Sequence, residues 1–311
     1  MATILKGAEV AESLNQRIAE KVQDLKTGGI VPTLATVRVG ERSDDIAYER
    51  GASKSASAVG VEVRNVVLPI TVTQEEVIRQ LEALNGDPLV HGILLFTPLP
   101  KHLNEKALHE VIATNKDIDG VTALSRAGVY ADTYEGYLPC TPYACIELLE
   151  YYGIELAGKH AVVVGRSLVA GKPVAMMLLK RNATITICHS HTQNLQALVK
   201  GADIVVACVG QGNMFNEEYL SAGQIVIDVG INVATDGSIV GDVDFEVAKD
   251  IVAAVTPVPG GVGAVTTVVL IKQVVEAALR ALTVPLSLSV KTLEEKDTMT
   301  FLDGIRADWG D

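Results

Sequence analysis

The chain reads as an α/β protein of two domains around a cleft, the second a Rossmann-like, doubly wound parallel sheet. Three observations predict this. Short apolar runs of strand length alternate with helix-length amphipathic stretches, the pattern of parallel βαβ units. Several of these runs, AVVV at 161–164 above all, are apolar without a break, as strands covered on both faces are. Leu138-Pro139-Cys140-Thr141-Pro142 interrupts the alternation and separates two such series.

Composition sets the outer limits. At 311 residues the chain can hold two domains with sizeable cores, and a hydrophobic share of 48% argues against disorder. A net charge of −12 without a basic stripe excludes nucleic acid as an expected partner. The start, MATILKGAEVAESLNQRI, lacks the pattern of a signal peptide. No stretch of about 18 or more apolar residues suggests a membrane span. Cys140, Cys145, Cys188 and Cys208 form no C-x-x-C pair and read as reduced thiols, so a cytoplasmic location is expected.

In chain order, residues 7–27 form a helix with apolar Val10, Leu14, Ile18 and Val22 on one face and Gly28-Gly29 as its stop. Thr33 to Val39 alternates as a strand. After a polar turn, Ile46 to Val59 is a second helix despite Gly51, and Val61 to Leu68 a second strand. Thr73 caps a helix to Leu84, and Val90 to Phe96 is a buried strand. Lys116-Asp117-Ile118-Asp119-Gly120 is a turn with two acids. Past the break, Tyr143 to Tyr152 is a helix, and strands follow at 161–164, 183–188, 203–208, 224–229 and 252–255. Thr256 to Gly263 is a rigid, glycine-lined loop, and Thr266 to Leu282 is an apolar helix that can return to the first domain. This places residues 1–142 and 264–311 in one domain and 143–263 in the other, with the polar tail from Pro285 as an appendage or partner contact.

The stretch 161–179 points to a ligand. Strand, Gly165, Arg166, Ser167, Gly171 and then a helix with Pro173 in its first turn make a βα corner. Helix openings present N–H groups and partial positive charge to phosphates. The glycine spacing is not G-x-G-x-x-G, and many such corners bind nothing. The next strand raises the odds, because it ends Cys188-His189-Ser190-His191 with no acid to bind a ribose 2′-hydroxyl. With Arg166 available for an extra phosphate, NADP is expected over NAD.

These pieces together resemble the methylenetetrahydrofolate dehydrogenase/cyclohydrolase family. The matching motifs are VHGILLFTPLP at 90–100, KDIDG at 116–120, LPCTP at 138–142, VVVGRS at 162–167, ATITICHSHT at 183–192, VIDVGIN at 226–232, VGDVDF at 240–245 and TPVPGGVG at 256–263. The resemblance implies a folate substrate in the first domain, NADP on the second and a homodimer. It implies cofactor contacts at Gly165, Arg166, Ser167, Ser190 and Ile231. It implies Tyr48 stacked on folate, Asp119 as the pterin-binding acid, and Pro259, Gly260 and Gly261 lining the folate cleft. A turn-capping role is the alternative for Asp119, since Asp-Gly is common in turns.

Two departures bear on mechanism. The family's Tyr-x-x-x-Lys supplies a lysine for hydrolysis, whereas four residues after Tyr48 this chain has Ala52. Lys54 lies six residues on and is turned roughly 120° away at about 100° per residue, so it reads as a solvated lysine unless the helix is irregular at Gly51. Phe96 stands where the family has a supporting glutamine. Hydride transfer needs orientation and no lysine, while ring opening by water needs proton transfer. The expectation is a dehydrogenase whose cyclohydrolase step is weak or lost, with Tyr48, Asp119 and at most Lys54 as candidate catalytic groups. The alternatives are a fully bifunctional enzyme and, in another class, a catalytically silent folate-binding homologue.

Overall fold

The computed structural model describes residues 1–133 and 135–283. The tail from Pro285, read above as an appendage, lies outside them.

The first half is built on a three-stranded parallel sheet, with β2 (Thr33–Val39) between β3 (Glu62–Leu68) and β4 (Gly92–Leu95). Helices α1 (Gly7–Thr27), α2 (Ser43–Ala58) and α3 (Gln74–Gly86) alternate with these strands. Thr73 caps α3 in a full capping box, its side chain accepting from the Glu76 N–H while Glu76 reaches back. On one face of β2, Ala35, Val37 and Val39 join a core with Val77, Leu81, Ile93 and Leu95. The alternate residues Thr36 and Arg38 are also buried. They are satisfied by Glu49 of α2: Arg38 Nε donates to Glu49 Oε2 at 3.1 Å, and Thr36 Oγ1 to Oε1 at 3.2 Å. Ala52 and Ala56 continue that inner face of α2, and Tyr48 sits beside it.

Short helices α4 (Glu105–His109) and α5 (Ala123–Ala131) follow, with a 3-10 turn at Thr114–Lys116 between them. Helix α6 (Cys140–Tyr151) then opens the second half, three residues earlier than its apolar pattern suggests.

The second sheet has six parallel strands in the order β1-β11-β8-β7-β5-β6. These are β1 (Thr3–Ile4), β5 (His160–Val164), β6 (Thr184–Cys188), β7 (Ile204–Ala207), β8 (Ile225–Asp228) and β11 (Ala254–Val255). Helices α7 (Gly171–Lys180), α8 (Leu195–Lys200) and α9 (Phe245–Ile251) fill the crossovers, and β9 (Asn232–Val233) pairs with β10 (Ile239–Val240) in a small antiparallel hairpin. Strand order reverses at β5, which has β6 on one side and β7 on the other, so the carboxyl ends beside β5 form a topological switch point. Val164 is level with Cys188 and Ala207, and Ala207 with Asp228, so these ends share one edge.

One feature differs from the sequence expectation. Thr3–Ile4, assigned above to the first domain, pairs with Ala254–Val255 and extends the second sheet. Two residues carry too little pattern to reveal a partner so far away in sequence. Helix α10 (Val262–Thr283) follows the loop after β11, and its Val274 packs near Gly92 of β4. The stretch Val262–Leu282 is long and apolar enough to cross a membrane, a property no stretch was given above, but 67% of its 18-residue apolar window is buried in the protein, as in a core helix.

Candidate active site

The first cluster gathers around Tyr48. Its ring packs edge-on against Phe96, with centroids 5.8 Å apart at 84°. Tyr48 is partly exposed, while its hydroxyl reaches the Thr267 side chain on α10 and lies near Asp119. Burial and the Asp119 charge push the phenol well above its usual value, so it keeps its proton at neutral pH.

Asp119 sits at the opening of α6, where the Cys140 backbone N–H and thiol face its carboxylate. Burial nevertheless raises it to about 6. The neighbouring acid Asp117 takes the turn-capping role weighed above for Asp119. It is fully buried, accepts from the Val121 and Thr122 N–H groups at 2.9 and 2.8 Å, and from Ser125 Oγ at 2.6 Å. Asp119 is left on the side of the Tyr48 phenol. Gly120 has φ 65° and no space for a side chain, because the backbone of 137–139 presses against it.

Gln273 of α10 fastens these pieces. Its Nε2 donates to Ile118 O at 2.7 Å and Leu138 O at 2.8 Å, and its Oε1 accepts from the Leu138 N–H at 3.1 Å. Thr267, Cys140 and Gln273 are therefore site residues that the sequence reading did not name. Gln273 left one signal, an amide beside Lys272 in a mostly apolar helix.

Ala52 is fully buried and Phe96 nearly so, and neither brings a polar group to Tyr48. Helix α2 runs unbroken through Gly51, so no irregularity carries Lys54 round to Tyr48. Lys54 is exposed, and no hydrogen bond or ion pair ties it to the Tyr48 cluster among the described residues. Pro259, Gly260 and Gly261 lie between β11 and α10, on the path from the edge of the second sheet to Thr267. Gly260 has φ 101°, and its carbonyl accepts from the Gly7 N–H at 2.8 Å.

A second cluster lies at the switch point. Gly165 follows β5 with φ 127°, and a side chain there would collide with the Cys208 carbonyl. A side chain on Gly171 would collide with Gly165 itself. The turn is thus a backbone cradle that only glycine permits, opening α7. Ser167 Oγ accepts from the Ala170 N–H at 3.1 Å and shapes it. Arg166, Ser167, Ser190 and Ile231 are all exposed around this edge, from the ends of β5, β6 and β8. A backbone cradle at a helix start beside an exposed guanidinium fits a phosphate-bearing dinucleotide.

Comparison with known proteins decides the family. Residues 5–119 match the family model described as tetrahydrofolate dehydrogenase/cyclohydrolase, catalytic domain, and residues 139–282 match its NAD(P)-binding domain. A protein of Alkaliphilus oremlandii named bifunctional protein FolD is 47% identical over 277 residues, which is 89% of this chain and 97% of that relative. This chain belongs to the tetrahydrofolate dehydrogenase/cyclohydrolase family.

The solved structures agree with that membership. The bifunctional FolD methylenetetrahydrofolate dehydrogenase/cyclohydrolase of Campylobacter jejuni superposes with a TM-score of 0.88 at 36% identity, covering 90% of this chain and 99% of that one. The dehydrogenase-cyclohydrolase of Trypanosoma brucei, solved with NADP and an inhibitor, gives 0.84 at 35% identity, covering 91% and 99%. The two family models meet the chain on either side of the break, the catalytic one over the Tyr48 and Asp119 cluster and the NAD(P)-binding one over the switch point.

Proposed function

We propose that this chain oxidises 5,10-methylenetetrahydrofolate to 5,10-methenyltetrahydrofolate with NADP, and that its cyclohydrolase step is weak or lost. The observation that carries the second clause is the Phe96 ring packed on Tyr48, with Ala52 buried where the family's lysine belongs. In this reading, Tyr48, Asp119 and the loop at Pro259, Gly260 and Gly261 hold the folate. Gly165, Arg166, Ser167, Ser190 and Ile231 hold NADP, whose nicotinamide supplies the hydride acceptor when bound. The substrate carbon gives up a hydride and the product carries one positive charge, so the protein's task is alignment and exclusion of water. Asp119 is the pocket's counter-charge for that cation. Ring opening needs a proton-transfer group free at the substrate; the Tyr48 phenol is held well above neutral pH, and Asp119, raised to about 6, is committed to the pterin. A homodimer, on the family resemblance, and a cytoplasmic location, on the reading of the cysteines as reduced thiols, complete the proposal.

A second reading has its own support. The relatives in Alkaliphilus oremlandii and Campylobacter jejuni are named as bifunctional proteins, and by name the comparisons fit a fully bifunctional enzyme better. The residues around Tyr48 favour the first reading. Both share the dehydrogenase, which is tested by following NADPH formation from methylenetetrahydrofolate with NADP and, separately, NAD. Folate-dependent reduction of NADP in preference to NAD is the expected result. Absence of reduction with either dinucleotide would leave the binding-homologue alternative.

Asp119 gives the site a pH signature. Its ionised form accepts hydrogen bonds from the pterin, so folate KM should rise as pH falls through about 6, and Asp119→Asn should flatten the profile. The effect on stability has the opposite sense. A carboxyl raised above its unfolded value binds its proton more tightly in the folded state. The stability it contributes is full below the unfolded pKa and is lost as pH rises through about 6.

A further inference from the structure

Asp242 is fully buried, yet four donors from two loops converge on it. Its Oδ2 accepts from the N–H groups of Val209 at 2.6 Å and Gly210 at 3.1 Å, and its Oδ1 from the Gln211 N–H and from Asn232 Nδ2, both at 2.9 Å. The first three follow β7 and the last follows β8. Gly230 has no space for a side chain because the Asp242 carboxyl occupies it. A second buried acid holds the first in place: Asp228 accepts from the N–H groups of Gly230, Asp242 and Val243 at 2.9, 3.0 and 2.9 Å.

This arrangement sets the polarity of the loop after β7. In a trans peptide the N–H and the preceding carbonyl point in opposite directions. With the N–H groups of 209–211 turned to Asp242, the carbonyls of Cys208, Val209 and Gly210 turn away from it. The Cys208 carbonyl indeed faces Gly165, at the turn that opens α7. A dinucleotide lies across the carboxyl ends of a doubly wound sheet, its pyrophosphate at that helix start. Here β6 takes the adenosine side, which leaves β7 and β8 to the nicotinamide side. Oxidised nicotinamide carries a positive charge and reduced nicotinamide does not.

Resting on the NADP reading above, we propose that Asp242 is a positioning residue: it turns the Val209 and Gly210 carbonyls toward the nicotinamide side, the Cys208 carbonyl being taken up at the Gly165 turn, and biases the site toward the oxidised, cationic dinucleotide. Four donors satisfy the carboxylate without cancelling its charge, so charge and oriented carbonyls act in the same direction. The same bias favours release of the reduced product.

The test measures Kd for NADP+ and NADPH by equilibrium dialysis on the full chain. Asp242→Asn should weaken NADP+ about tenfold and NADPH less than about threefold. Asp244→Asn is the control. Its carboxylate caps α9 by accepting from the Val247 N–H at 3.3 Å, so its loss should leave the ratio of the two constants unchanged. Equal weakening of both forms by Asp242→Asn, or no change, overturns the proposal. Should Asp242→Asn not fold, Asn232→Ala removes one donor and keeps the charge, so preference for NADP+ should hold or increase. A fall in that preference overturns the proposal equally. Failure of the wild-type chain to bind either dinucleotide would instead overturn the NADP reading itself.

Discussion

Glu49→Ala destabilises the protein by about 3–5 kcal/mol, because it leaves the Arg38 guanidinium buried without its counter-charge. Both side chains are about as buried as the apolar residues around them, and Glu49 also accepts from Thr36 Oγ1 at 3.2 Å. Among the described residues, the Arg38 head then keeps the Gly40 carbonyl as its acceptor. A loss of this size is a large fraction of the roughly 5–15 kcal/mol that holds a typical domain together. Thermal unfolding or a denaturant titration measures it. Arg38→Met together with Glu49→Leu should recover most of the loss, since an apolar pair of similar volume substitutes well for a buried ion pair. The double variant also separates stability from function. Tyr48 adjoins Glu49, so Glu49→Ala should raise folate KM as well, whereas the double variant should restore it if packing alone places the helix.

The second large effect is a gain. Ala52→Lys with Phe96→Gln should raise methenyltetrahydrofolate hydrolysis by about 10²–10⁴, the usual contribution of a positioned proton-transfer group. Position 52 lies one helical turn beyond Tyr48, so a lysine there extends along the face that carries the phenol. The amide at 96 removes the ring now packed on Tyr48 and offers the ammonium a partner. Lysine alone should gain less, because an ammonium beside Phe96 is desolvated and loses basicity. The dehydrogenase rate should stay within about tenfold of the wild type in the double variant, since hydride transfer depends on alignment. A double variant that folds, oxidises its substrate and hydrolyses no faster would show that these two positions do not control the step.

Most of the fold could be read from local pattern. Unbroken apolar runs marked β5, β7 and β8, and Gly165 and Gly171 marked the α7 turn, the first through its positive φ and the second through its close approach to the first. Asp119 was legible from its motif. That it lies beside the Tyr48 phenol while Asp117 caps the turn was not, because the two acids differ only in which groups the fold brings to them. Thr267 and Gln273 come from α10, well over 100 residues beyond Tyr48 and Asp119, and no periodicity carries such a pairing. The burial of Arg38 and Glu49 is set by which faces of strand and helix meet, and local sequence does not carry that. Asp242 and Asp228 share that limit, since each appears as a surface-type residue until the loops close on it.

Everything turns on whether the pocket around Tyr48 can move a proton. The direct measurement is the decay of methenyltetrahydrofolate with the wild-type chain, compared with its spontaneous decay, in a preparation that forms NADPH from methylenetetrahydrofolate. The account predicts decay within about twofold of the spontaneous rate beside clear NADPH formation. Decay at a rate comparable to NADPH formation would contradict it, and would mean that the bifunctional name of the relatives describes this chain too, with a proton-transfer group other than the residues at 52 and 96.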